Sequence, residues 1–257
     1  MKGLDITFTA FIVWLYSRVS TFQVWLDLKG EENWIYPKKI IPLHDPTKVI
    51  VMDYSKTTNK QEVLEPGKIY HIYNKAISRD KLFIIEKDYF YFLKKLNRYI
   101  LPVAHIVAYC LIPNHFHLLV IIKDEENIPV KSEKDKENKA QIVLKSFRNF
   151  FNSYTRSFNV IHHRKGRLFL YPYQRILVDD ENYFICLMNY IHRNPVHHGF
   201  VKNYVDWKFS SYNAYLSKSP THINREEGLS YFSSLDEFVL FHEENKSVPG
   251  MEKYYLE

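Results

Sequence analysis

Cysteine and glycine are both scarce in this chain, with two and seven residues respectively in 257. Cys110 and Cys186 lie in apolar runs (AYCLI and FICLM), with no C-x-x-C pair and no disulfide framework, so they read as small buried hydrophobes in a reducing cytoplasm. So few glycines argue against a glycine-rich nucleotide-binding fold. A spanning apolar run is missing too. Ile6 to Tyr16 is broken by Arg18 well short of the roughly 18 uncharged residues a membrane helix needs, and no small-residue cleavage site follows it. It reads as a packed segment, with no membrane expected. Acidic residues, finally, are absent between Lys145 and Arg175.

What is present is a globular composition, 46% hydrophobic and 25% charged, with 16% aromatics and a formal net charge of +6. A basic excess of this size is compatible with nucleic acid or with an anionic surface and does not choose between them. The organisation reads as three parts. Residues 1–65 are an N-terminal extension with little regular pattern, 66–216 carry the periodic signals, and 217–257 are a tail with a helical stretch near Leu235 to Glu243.

In the middle part, Ile69 to Ile77 reads as a strand and Asp88 to Ile100 as a helix that Asp88 can cap. Ala104 to Ile112 and His115 to Ile122 are apolar strands separated by Pro113-Asn114, a turn signal. Residues 123–139 are charged at most positions and read as a solvated loop. A helix is expected from Lys139 to Phe158, a strand from Tyr173 to Val178, and a helix from Glu181 to Asn194, capped by Asp180 and stopped by Pro195. This order, β-α-β-β-α-β-α, predicts an α+β fold: a ferredoxin-like antiparallel sheet with helices packed on it, plus terminal extensions.

Two short patterns can carry chemistry. On a strand, His115 and His117 point to the same side and Phe116 to the other, so two imidazoles can share one divalent cation. The plainer alternative is a pair of half-exposed histidines near a turn, and two ligands alone make an incomplete site. On the last helix, Phe184, Leu187, Met188 and Ile191 form a core arc with Tyr190 at its edge, and Asn194 lies one turn beyond Tyr190. A phenol and a carboxamide then project together as a nucleophile and a hard ligand. Alternatively, they are a core-edge tyrosine and a helix-closing asparagine. Between Lys145 and Arg175, seven cations (Lys145, Arg148, Arg156, Arg164, Lys165, Arg167 and Arg175) alternate with eight aromatics. The cations can track phosphates, and the aromatics can stack on bases or fill the core.

Five stretches carry a resemblance: YHIYNKAISR from Tyr70, AYCLIPNHFHLLV from Ala108, GRLF from Gly166 with YQR from Tyr173, NYIHRNPVHHG from Asn189, and WKFSSY from Trp207. In this order they resemble the HUH single-tyrosine transposases, in the REP-associated tyrosine transposase branch. The resemblance covers residues 68–216. It implies that His115 and His117 are paired metal ligands, that Tyr190 is the nucleophile, and that Asn194 stands at the position of a polar third ligand. It further implies Mg²⁺ or Mn²⁺ as cofactor, single-stranded DNA with hairpin ends as partner, and a homodimer. The expected reaction is metal-dependent cleavage and strand transfer through a 5′-phosphotyrosine. The alternatives are a non-catalytic hairpin-binding relative and a nuclease that uses water. The histidine pair is expected at a metal site rather than in the core.

Overall fold

A computed structural model describes residues 39–42, 49–52, 61–78, 80–130 and 138–246. The apolar Ile6–Tyr16 run, Arg79 and residues 131–137 of the charged loop lie outside the described residues. Two short strands, β1 (Lys39–Pro42) and β2 (Val49–Met52), pair antiparallel within the N-terminal extension. Each is only four residues long, too short for alternation to reveal it.

The central sheet has four strands: β3 (Ile69–Lys75), β4 (Ala104–Ile112), β5 (His115–Ile122) and β6 (Gln174–Leu177). Their spatial order is β4-β5-β3-β6, and every neighbouring pair is antiparallel. With α1 (Glu86–Tyr99), α2 (Lys139–Ile161) and α3 (Glu181–His197) between and after the strands, this is the ferredoxin-like arrangement. The β4–β5 hairpin turns tightly through Pro113-Asn114, which leaves Ile112 opposite His115.

Helices α1 and α2 cover one face. Phe92 of α1 meets Phe116 of β5 and Phe150 of α2 at ring separations of 5.1 and 4.9 Å. Asp88 does cap α1, though from inside the helix: its carboxylate accepts from the backbone N–H groups of Ile84 and Ile85. On α2, Asn138 caps the first turn by accepting from the Gln141 N–H.

Helix α3 packs on the opposite face, against β4 and β5. Asp180 caps it as expected, accepting from the Tyr183 N–H at 2.8 Å. Pro195, however, does not end the helix, which runs on to His197. Pro195 lies within the final turns, and the stop is the left-handed Gly199 (φ 69°). Its N–H bonds to Val196 O while that of Phe200 bonds to Pro195 O, the two bonds of a Schellman ending.

A second departure concerns the sides of α3. Every residue from Phe184 to Pro195 is buried, including Asn189, His192 and Arg193. The helix is therefore not a core arc with a wet back. Its outer side is covered by residues after 203, from a short 3-10 turn, α4 (Tyr212–Leu216) and α6 (Leu235–Glu244), while α5 (Arg225–Leu229) lies against β4. Arg193 donates to His242 O at 2.8 Å, Asn189 to Asn245 O at 2.8 Å, and His192 bridges His242 and Ser211 at 2.9 Å each. No helix among the described residues is long and apolar enough to cross a membrane.

Candidate active site

The strand alternation of β5 sends Phe116 into the aromatic layer and His115 and His117 toward α3. The ring of His117 meets that of Tyr190 edge-on at 5.2 Å, and His115 Nε2 lies 3.1 Å from Asn194 Oδ1. The four side chains singled out from the sequence thus form one cluster between sheet and helix. All four are fully buried, which corrects the expectation that the histidines sit outside the core. Helix α3 roofs this part of β5 and helps close both imidazoles off from solvent.

Burial sets their charge. Desolvation, with repulsion from His198, brings His115 down to about 3, against a smaller opposing effect of the Asn194 contact. His117 is held well below its ordinary value, again chiefly by burial and then by the neighbouring His115. Both are neutral near pH 7, the state in which an imidazole can ligate a metal.

His115 Nδ1 lies 3.0 Å from Asn114 Oδ1 while its Nε2 faces Asn194 Oδ1. A neutral imidazole has one N–H, so only one of these oxygens can accept from it. The other meets a lone pair, which a shared cation or a half-turn of the carboxamide relieves. Neighbouring ligands of an octahedral cation with bonds of ~2.1 Å stand about 3 Å apart, so the 3.1 Å spacing suits two of them. His117 Nε2 and Asn194 Nδ2 are buried with no hydrogen-bond partner among the described residues. Nowhere among those residues do three or more His, Cys, Asp or Glu gather in a metal-holding group. A third ligand beside the two histidines would therefore have to be the carboxamide. With these donors, the residues fit a divalent cation.

Two histidines of this layer were missed as site residues. His71 of β3 shares the face of His117 and lies 2.9 Å from it, Nε2 to Nδ1. His198, just past α3, packs edge-on against His115 at 4.7 Å. Both stand in stretches quoted for the resemblance, YHIYNKAISR and NYIHRNPVHHG. Period-two alternation from Tyr73, which lies opposite His117, was the available signal for His71.

The basic stretch is dispersed. Lys145, Arg148, Arg167 and Arg175 line a cleft of about 740 Å³ between α2 and the segment leading into β6, with Tyr171 at 82% exposure and no acidic residue among the described residues of the lining. Asn74, on the Phe116 side of the sheet, also lines it, so the cleft belongs to the face away from Tyr190. It reaches the same end of the sheet as His115, since the cleft residue Leu170 donates its N–H to Lys75 O and Lys75 is opposite His115. Arg175 is held by the backbone oxygens of Glu62 and Gln61, and Arg164 is paired with Asp80. Arg156 and Lys165 are exposed and outside the cleft lining.

No family model matches the chain. Among curated proteins, a putative REP-associated tyrosine transposase of Haemophilus influenzae is 27% identical over 108 residues. Over that span the chain is similar to a REP-associated tyrosine transposase. The match covers 42% of the chain and 58% of the length of that transposase. A solved REP-associated tyrosine transposase bound to a REP hairpin matches at a TM-score of 0.47 with 15% identity, over 64% of this chain and 89% of the other.

Proposed function

We propose that this protein cleaves and rejoins single-stranded DNA as a single-tyrosine transposase of the HUH type. The observation that carries the proposal is the convergence of Tyr190 and Asn194, one turn apart on α3, on the paired histidines of β5. A divalent cation, Mg²⁺ or Mn²⁺, held by His115, His117 and Asn194 would polarise the scissile phosphate as a Lewis acid.

The protein's own groups do the rest. The Tyr190 hydroxyl attacks phosphorus and loses its proton, the bond to the 3′ oxygen breaks, and that oxygen takes up a proton. The products are a 5′-phosphotyrosine and a free 3′-hydroxyl. Because the phosphodiester is exchanged for another phosphate ester, a second 3′-hydroxyl can reverse the step without ATP. Phe116, locked among Phe92, Phe151 and Phe169, anchors the strand that presents the histidines.

The basic cleft supplies the DNA contact. Lys145, Arg148 and Arg167 meet phosphates, and the exposed Tyr171 offers a ring for stacking on an unpaired base. We take a hairpin-bearing single strand as the substrate, in keeping with the REP hairpin bound by the solved transposase, and a homodimer as the working form.

One observation favours a second reading. Tyr190 is fully buried, so DNA reaches its hydroxyl only after its surroundings open, whereas a non-catalytic hairpin binder needs no such opening. A single experiment separates the two. The protein is mixed with hairpin DNA carrying a 5′ single-stranded flank and Mg²⁺ or Mn²⁺, and denaturing gels are read for a covalent adduct. An adduct supports the transposase; binding without any adduct supports the binder.

A further inference from the structure

We infer that His71 is a positioning residue for His117: it accepts the Nδ1–H of His117 and so leaves His117 Nε2 bare for a cation. The inference rests on the metal-site reading above and adds to it a residue on a different strand.

Registry brings the two together. Tyr73 lies opposite His117 and His71 opposite Leu119, so His71 and His117 are diagonal neighbours on one face of the β3–β5 pair. Both are fully buried, and 2.9 Å between His71 Nε2 and His117 Nδ1 is the length of one hydrogen bond. One bond between two neutral imidazoles holds one proton, and the proton can sit on either nitrogen. If it sits on His71, then His117 carries its own proton on Nε2. That nitrogen cannot ligate a cation. If the proton sits on His117 Nδ1, then His117 Nε2 holds a free lone pair. Only the second arrangement fits a ligand.

The ring of His71 is held for this role by stacking on Tyr73, with centroids 4.6 Å apart and planes at 28°. Metal-ligating histidines commonly donate their second N–H to a carboxylate or a carbonyl. A neutral imidazole in that place fixes the tautomer without adding negative charge. The cation would keep more of its charge for the phosphate.

The test uses the full chain without DNA and measures Mn²⁺ affinity from the free-ion electron paramagnetic resonance signal. His71→Phe is expected to weaken binding about 10–100-fold, and His71→Gln, whose Oε1 can accept the same hydrogen bond, to recover most of it. His115→Ala serves as the control that removes a ligand. A folded His71→Phe variant with unaltered affinity would overturn the role of His71 and leave the metal site standing. No Mn²⁺ binding by the unaltered protein, or binding indifferent to His115→Ala, would remove the site and the role together. Should His71→Phe fail to fold, ¹⁵N spectra of the imidazoles in the unaltered, Mg²⁺-loaded protein decide. A proton on His117 Nδ1 supports the inference, and a proton on His71 Nε2 overturns it.

Discussion

One sheet carries two unlike faces. Toward α1 and α2 it presents Phe116, met by Phe92 and Phe151. Toward α3 it presents His115 and His117, met by Tyr190, Asn194 and His198. Both faces are closed to solvent, so burial alone does not separate them. Obligation does. The aromatic face gains from each buried carbon and owes few hydrogen bonds, such as that of Tyr154 to Leu82 O. The imidazole face must find a partner for every nitrogen, and among the described residues it leaves His117 Nε2, His198 Nε2 and Asn194 Nδ2 without one. A fold holds such a layer at a loss of stability where the unpartnered atoms serve chemistry.

Five variants would break or sharpen this contrast. The largest effect is expected from Tyr190→Phe: no detectable covalent adduct while hairpin binding persists, read by mass spectrometry of nucleopeptides. An adduct on another tyrosine would take the chemistry away from the imidazole face. Next come paired stability measurements. Phe92→Ala should lower the unfolding free energy by about 3–5 kcal/mol in urea titrations, with the folded fraction still competent to cut. His117→Ala should lower it by only about 1–3 kcal/mol yet abolish cutting, as EDTA does for the unaltered protein. Equal stability losses would erase the distinction between the faces.

A smaller effect is expected in the cleft. Replacing Arg148 and Arg167 by Ala should weaken single-strand binding and flatten its salt dependence by about 0.7 logarithmic unit per lost contact. An unchanged slope would exclude the cleft as the phosphate track. Smallest of all is Tyr154→Phe. Its hydroxyl donates to Leu82 O at 2.6 Å within the aromatic layer, so about 1 kcal/mol of stability should be lost and the adduct retained.

Much of this was readable before any coordinates. The two long apolar strands with Pro-Asn between them, the capping residues Asp88 and Asp180, and the alternation about Phe116 are local signals, and the sheet with its α1, α2 and α3 layers follows from them. Harder to read were features whose cause is distant. The stop of α3 at Gly199 rather than Pro195 is a matter of backbone handedness beyond the last turn. Helices α4 and α5 have five residues each and show no period. The burial of the back of α3 depends on His242 and Asn245, which no window centred on the helix contains. For the cations, spacing could not tell Arg148, open to the cleft, from Arg164, paired with Asp80, or from Arg175, tied to the Glu62 backbone.

The cover on α3 has a consequence for how the chain is made. His192 meets its partner His242 fifty residues further along, and Arg193 waits for the same stretch. During synthesis the sheet and α3 leave the ribosome before that stretch exists. Until it arrives, the polar side of α3 stays hydrated and the helix lacks its outer wall. The segment that carries the tyrosine is then the last part of the core to be sealed, and a nascent chain halted before residue 242 would hold a finished sheet beneath an unfinished lid.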